Sequence, residues 1–304
     1  MSAETSVRLE TGFAGAFTAL CVGAVAMGIS PIFVRFAAVD VGPFASAFWR
    51  VALALPVLFA WMRFEDATVP AGSGRSFSRP TILAGVAFAG DLFFWHLSIL
   101  NTTVANATFF ATTAPVFVVL FVWLVLRRRV SQGTLVGLAL CLIGGASLIG
   151  QSFQVNPARI VGDVFGIATA VFFGLYFVAV DRARETSAAA RVTFELTCVT
   201  AAILLVIAVL FDGRVMPRTL EGVAALVAMA WISHAGGQGL LAVALGRLPT
   251  VFSSLVIFLE AVAAAAFGWL ILGEHLTLLQ LLGGAVILLG IWVARPQRGK
   301  EVHL

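Results

Sequence analysis

WLVLRRRVSQGTLVGLALCLIGG, residues 123–145, returns 146 positions later as WLILGEHLTLLQLLGGAVILLGI, residues 269–291. Trp123 falls on Trp269, Gly137 on Gly283, Ala139 on Ala285 and Gly144 on Gly290. Ser131 falls on Thr277, and each precedes an apolar run whose first turn a hydroxyl can cap. The same shift carries Gly28 onto Gly174 and Gly90 onto Gly236. The matches are sparse, but one offset without a gap serves the whole length. The chain is two copies of one unit, and the content of each copy decides the fold.

Of the 304 residues, 61% are hydrophobic and 11% charged, with mean hydropathy +1.04. A soluble domain carries about 25% charged residues, so this chain cannot cover a globular surface. Ten apolar runs are long enough to cross a bilayer as helices: 13–37, 43–63, 80–100, 104–126, 131–150, 160–181, 188–211, 219–245, 250–272 and 276–294. The longest polar link, RFEDATVPAGSGRSFSRP at 63–80, reads as a flexible loop. Each copy holds five runs, and an odd number turns the second copy upside down in the membrane. The expectation is an all-α integral membrane protein of ten transmembrane helices. They form two inverted five-helix repeats, 13–150 and 160–294, around a central cavity, a signature of secondary transporters.

Lysine and arginine orient the chain. With the N-terminus cytoplasmic, fourteen basic residues face inward: Arg8, Arg63, Arg75, Arg79, Arg127, Arg128, Arg129, Arg182, Arg184, Arg191, Arg247, Arg295, Arg298 and Lys300. Four face outward, Arg35, Arg159, Arg214 and Arg218, and Arg50 lies within a span. Both termini are expected in the cytoplasm. Trp61 and Trp292 fall near inner ends and Trp49 and Trp269 near outer ends, while Trp95 and Trp231 lie deeper. The opening segment is polar, and the first apolar run is too long for a cleaved signal, so the first span serves as its own insertion signal. Cys21, Cys141 and Cys198 lie in apolar runs and are expected as free thiols. The basic pI of 9.6 does not indicate nucleic acid, because the arginines are spread over many short loops.

The segments LEAVAAAAFGWLILGEHLTLLQLLGGAVILLGIWVA, 259–294, and APVFVVLFVWLVLRRRVSQGTLVGLALCLIGG, 114–145, resemble the repeat ends of the drug/metabolite transporter superfamily, specifically the EamA-type ten-helix exporters. Within that family the pattern is most similar to the YddG-type exporters of aromatic and neutral amino acids. The chain departs from the family pattern in places. Pro115 follows Ala114 rather than an acid, Glu260 precedes Ala261 rather than proline, and the pair Gly273–Glu274 is Arg127–Arg128 in the first copy.

Polar residues at helical spacing mark spans one, three, four, six, eight and nine. Asp91, Trp95 and Ser98 form one stripe, and Trp231, His234 and Gln238 another. Asn106 aligns with Thr113, Thr169 with Tyr176, and Ser253 with Glu260, while Ser30 precedes a kinking Pro31. Polar groups in spans face a protein interior or a water-filled cavity, so these thirteen positions, Pro31 aside, are the candidate substrate contacts. Asp91 reads as a structural partner of Arg50 or backbone, or else as a site for an ammonium group or a proton carrier. His96, Arg50 and Glu195 read as structural. The fifth and tenth spans are poor in polar groups and rich in glycine, which marks packing helices or a homodimer face.

No glycine loop for ATP, no nucleophile constellation and no third metal ligand stands out, so neither an enzyme nor a cofactor is expected. The resemblance implies export of amino acids with apolar or aromatic side chains. Asp91 or Glu260 would take the ammonium group, and His234, Gln238, Asn106 and Tyr176 the carboxylate. The alternatives are an exporter of organic cations, with the acids and aromatic faces as their site, and a non-transporting membrane scaffold. The arginine-rich composition and the family point to the inner membrane of a bacterium.

Overall fold

Ser78, Ser131, Thr219 and Thr277 each stand one residue ahead of a helix, and each hydroxyl accepts a backbone N–H from that helix's first turn. Thr277 and Gln280 cap each other reciprocally. Such caps satisfy N–H groups that a helix leaves open at its start. The computed structural model describes residues 3–37, 40–68, 76–102, 104–125, 127–150, 159–273 and 275–296. The side chains of Arg8 and Asn106, the whole of Glu274, and Arg75, Arg298 and Lys300 in the loops lie outside the described residues.

The first span is α1 (Ala3–Gly28) continued by α2 (Ser30–Ala37), and the second is α3 (Pro43–Ala52) and α4 (Leu55–Thr68). The third is α5 (Arg79–Asn101), and the fourth is α6 (Val104–Thr112) and α7 (Ala114–Leu124). Then come α8 (Gln132–Ile149), α9 (Ile160–Arg184) and α10 (Ala189–Phe211). The eighth span is α11 (Leu220–Ala228), a π-helical segment (Met229–Gln238) and α12 (Gly239–Leu245). The ninth is α13 (Thr250–Val256) and α14 (Phe258–Leu272), and the tenth is α15 (Leu278–Val293). Among the described residues nine helices are long and apolar enough to cross a bilayer, and α15 is a shorter apolar helix of 16 residues. The protein is an all-α, multi-pass integral membrane protein.

Packing follows the repeat. The third span lies on the sixth as the eighth lies on the first, and the fourth lies on the sixth as the ninth lies on the first. The second packs on the seventh and the fifth on the tenth. Glycine sets the distance at the matching places. A Cβ on Gly28 would lie 2.7 Å from the Glu260 carbonyl, and one on Gly174, 2.9 Å from the Phe117 Cβ. Between α8 and α15, Cβ atoms on Gly137 and Gly144 would meet the Gly290 and Gly283 carbonyls at 2.5 and 2.6 Å. That glycine face is spent inside one chain. A homodimer through these helices would therefore use their outer sides, where Val136, Ile143, Leu281, Leu288 and Trp292 are exposed.

Acids at the ends of spans cross between the copies. Asp66 and Asp212 are repeat-related, as are Ala45 and Arg191. Asp66 pairs with Arg191 at 2.8 Å, and Glu65 accepts the Ala190 N–H at 2.8 Å, at the start of α10. Asp212, beyond α10, accepts the Ala45 N–H at 2.5 Å, at the start of α3. Each copy's second helix thus begins on an acid supplied by the other copy. Glu195, expected to be structural, accepts Ser76 Oγ at 2.9 Å and the Phe77 N–H at 2.8 Å. Burial pushes the Asp212 carboxyl above the usual range, against the pull of the Ala45 N–H. Asp40, beyond α2, accepts the Thr219 and Arg218 N–H groups at 3.0 and 2.8 Å, and these bonds, Thr219's foremost, hold its carboxyl below the usual range.

Candidate substrate cavity

The breaks in the first, fourth, eighth and ninth spans gather around one cavity. Pro31 lacks an N–H and crowds the preceding turn, and the first span breaks at Ile29 beside it. The fourth breaks at Thr113, ahead of Pro115, and the ninth at Ile257. In the eighth, the π segment widens the turn from Met229 to Gln238. Ser30, Pro31, Thr112, Ile257 and Gln238, at or beside these breaks, all line the cavity. Irregular backbone at membrane depth is tolerated where it borders a cavity inside the protein.

The cavity, about 80 Å³ to the centres of water-sized spheres, has room for roughly five to eight waters. Its polar lining is Ser30, Arg50, Asp91, Thr108, Thr112, Gln238 and Glu260, and its aromatic walls are Phe88, Trp95 and Phe173. Arg50 and Asp91 are 7% and 8% exposed. Among the described residues no ion pair joins Arg50 to Asp91 or Glu260, though all three line the cavity. Tyr176, fully buried, donates to Gln238 Oε1 at 2.9 Å and leaves the amide NH₂ of Gln238 to the cavity.

Of the thirteen positions expected to contact substrate, Ser30, Asp91, Trp95, Gln238 and Glu260 line this space, and Tyr176 lies behind Gln238. Others are engaged elsewhere. Ser98 donates to the Gly162 carbonyl and joins the third span to the sixth. Thr113 and Thr169 bond within their own helices, to the Phe110 and Phe165 carbonyls. Ser253 is buried away from the lining. The Asn106 side chain lies outside the description. His234 is enclosed, with Nε2 2.9 Å from Thr197 Oγ1 and its ring stacked on Phe88. Trp231 is 54% exposed on the outer face, where Nε1 donates to the Leu53 carbonyl at the break in the second span.

The stripe Trp231–His234–Gln238 therefore does not exist as one face. In an α-helix seven residues complete about two turns, but the wider π turn leaves them short and points Trp231 away from Gln238. Nothing in the residue types announces a π turn. Arg50 adds the second span to the six expected around the cavity. The signal for it was a cation in an otherwise apolar run, the same signal that marked Asp91. His96 is a packing residue, its Nδ1 2.7 Å from the Leu92 carbonyl and its ring edge-on to Trp95.

The model of the EamA-like transporter family matches residues 14–150 and again residues 160–295. The chain belongs to the EamA-like transporter family. EamA proteins are transporters, and this one is not an enzyme. It is similar to an uncharacterized transporter of Archaeoglobus fulgidus, 29% identical, over 91% of this chain and 94% of the relative. It is similar to the pseudopaline exporter CntI of Pseudomonas aeruginosa, 26% identical, over 83% and 86% of the two chains. It is also similar to the threonine/homoserine exporter RhtA of Escherichia coli, 28% identical, over 68% of each. A solved crystal structure shares the fold with a TM-score of 0.79 at 19% identity, over 94% of this chain and 96% of that one.

Proposed function

We propose that this EamA protein is a secondary exporter of amino acids with apolar or aromatic side chains. It works by alternating access between the repeats 13–150 and 160–294. The observation that carries the reading is the cavity between the repeats, where Asp91 and Glu260 stand beside aromatic and aliphatic walls. Intramembrane acids on a cavity mark substrate or proton pathways. A carboxylate can hold an ammonium group, and Phe88, Phe173, Met27 and Leu92 offer apolar surface to a side chain. The exporters of threonine and homoserine and of pseudopaline among its relatives favour outward movement of small metabolites. The arginine asymmetry supports cytoplasmic termini and a bacterial inner membrane.

The second reading, export of organic cations, is favoured by the cavity holding two acids against one guanidinium. Uptake of labelled threonine, methionine and phenylalanine into proteoliposomes, with and without a pH gradient, separates the two. The expected result is transport of at least one amino acid, reduced in Asp91→Asn. If uptake follows the gradient and the variant loses that dependence, Asp91 carries the proton as well. Transport of quaternary or aromatic amines with none of the amino acids would establish the cation reading instead.

A further inference from the structure

Three ionisable residues line the cavity, and none of them recurs in the other copy. The positions related to Arg50, Asp91 and Glu260 by the 146-residue shift are Leu196, Gly237 and Ala114. Leu196 and Ala114 lie in helices at the matching places, Gly237 lies in the π segment, and all three are buried. The repeat fold is built there without charge, so the fold does not need an arginine at position 50. Something other than packing holds it.

Arg50 also lacks what a structural arginine has. Its Nε has no hydrogen-bond partner, although the residue is buried. Neither carboxylate of the cavity is paired directly with it. A guanidinium is a planar fork of five donors that matches a carboxylate in two parallel bonds. Of the other donors expected for a carboxylate, Tyr176 is turned to Gln238 and His234 to Thr197 behind Phe88, while the Gln238 amide NH₂ stays open to the cavity and the Asn106 side chain lies outside the described residues. Arg50 is the one cation on the described cavity lining.

We propose that Arg50 is the anchor for the carboxylate of the transported amino acid, while Asp91 and Glu260 take its ammonium group. The proposal rests on the amino-acid reading above and adds the polarity of the site: one end of the substrate is read by a single arginine. A substrate without a carboxylate leaves that guanidinium unpaired in a desolvated place, which is a strong means of rejection.

The test uses the full chain in proteoliposomes with three labelled compounds: methionine, methioninamide and 3-(methylthio)propylamine. Wild type is expected to prefer methionine, and the amide and amine are expected to compete poorly against it. Arg50→Gln is expected to raise KM for methionine about ten- to a hundredfold, the loss of one or two charged hydrogen bonds. It should leave KM for the amide and amine within about threefold, and Arg50→Lys should restore part of the preference. Equal loss for all three compounds in Arg50→Gln would make the arginine structural and overturn the proposal. Should Arg50→Gln fail to fold, competition in wild type still decides: an amide that competes as well as methionine overturns the anchor. Wild type that moves methionine without this discrimination sinks only the Arg50 assignment. Wild type that moves only the amine removes the amino-acid reading as well.

Discussion

Asp40 makes no contact with the cavity, yet its chemistry can be tested cleanly. Its carboxylate sits beyond the first span and accepts N–H groups at the start of α11. Because the folded pKa lies below the unfolded one, the bond stabilises the fold above the ordinary carboxylate value of about 4. It is lost as pH falls through the lower folded value. Asp40→Asn should therefore lower the Tm of the detergent-solubilised protein at pH 7, and the gap to wild type should close as pH is taken below about 4. A gap that stays constant with pH would show that the ionised carboxylate is not the cap. Residues also set the limit of what the sequence disclosed. Asp91 and Glu260 were legible because a charge in an apolar run is costly unless something uses it. Arg50 was equally visible, but a lone arginine beside an acid reads as its partner, and only the absence of an ion pair changes its meaning. Thr113, Thr169 and Ser98 misled because a hydroxyl can always turn back to a carbonyl of its own or a neighbouring helix.

Spans five and ten, α8 and α15, show how close approach is written in small residues. Cβ atoms on Gly144 and Gly283 would each meet the other residue's carbonyl, at 2.6 and 2.7 Å, whereas one on Gly284 would meet only Val262, at 3.8 Å. Gly144→Ala should therefore force the helices apart and cost about 1–3 kcal/mol, and Gly284→Ala should cost little or stabilise. Thermal unfolding of both variants beside wild type checks the contrast, and equal Tm values would mean that the seam yields freely. The existence of these helices, their caps at Ser131 and Thr277 and their small faces were all readable from periodicity. Their use was not, because a glycine stripe looks the same whether its partner is in the same chain or another. The π turn in the eighth span was hidden for a related reason: hydrogen-bond slippage by one residue leaves no mark in composition, although it moves Trp231 to the outside.

The whole molecule is less symmetric than its sequence repeat. The cavity takes the late part of span one (Met27–Pro31) and the early part of span four (Thr108–Thr112). It therefore lies toward the end where span one finishes. The opposite end is filled by the stacked rings of Phe13, Phe17 and Phe252, 6.0–6.4 Å apart, and by buried Phe177, Leu241 and Leu245. Under the proposed alternating access, that ring cluster parts in every cycle. Cysteines at positions 17 and 252, in a background with Cys21, Cys141 and Cys198 replaced by alanine, should cross-link with a short bifunctional thiol reagent. Cross-linking should stop uptake, and a reducible reagent should allow recovery. Uptake that continues in the linked protein would mean that this end does not open for transport. Ten spans and their inversion followed from the repeat and from counting five; which end is shut depends on contacts that no single copy contains.

The crossed acids also have a consequence in time. The amide of Ala45 meets its acceptor on Asp212, 167 residues further along the chain. At about 5–20 residues per second, the ribosome takes roughly 8–33 s to make that acceptor after Ala45 has been joined. The fifth span is complete only at Ile149, so for the last part of that interval the first five spans stand in the bilayer without the acceptor that meets the start of α3. The second copy does more than follow the first into the membrane: its arrival is the moment at which the first is finished.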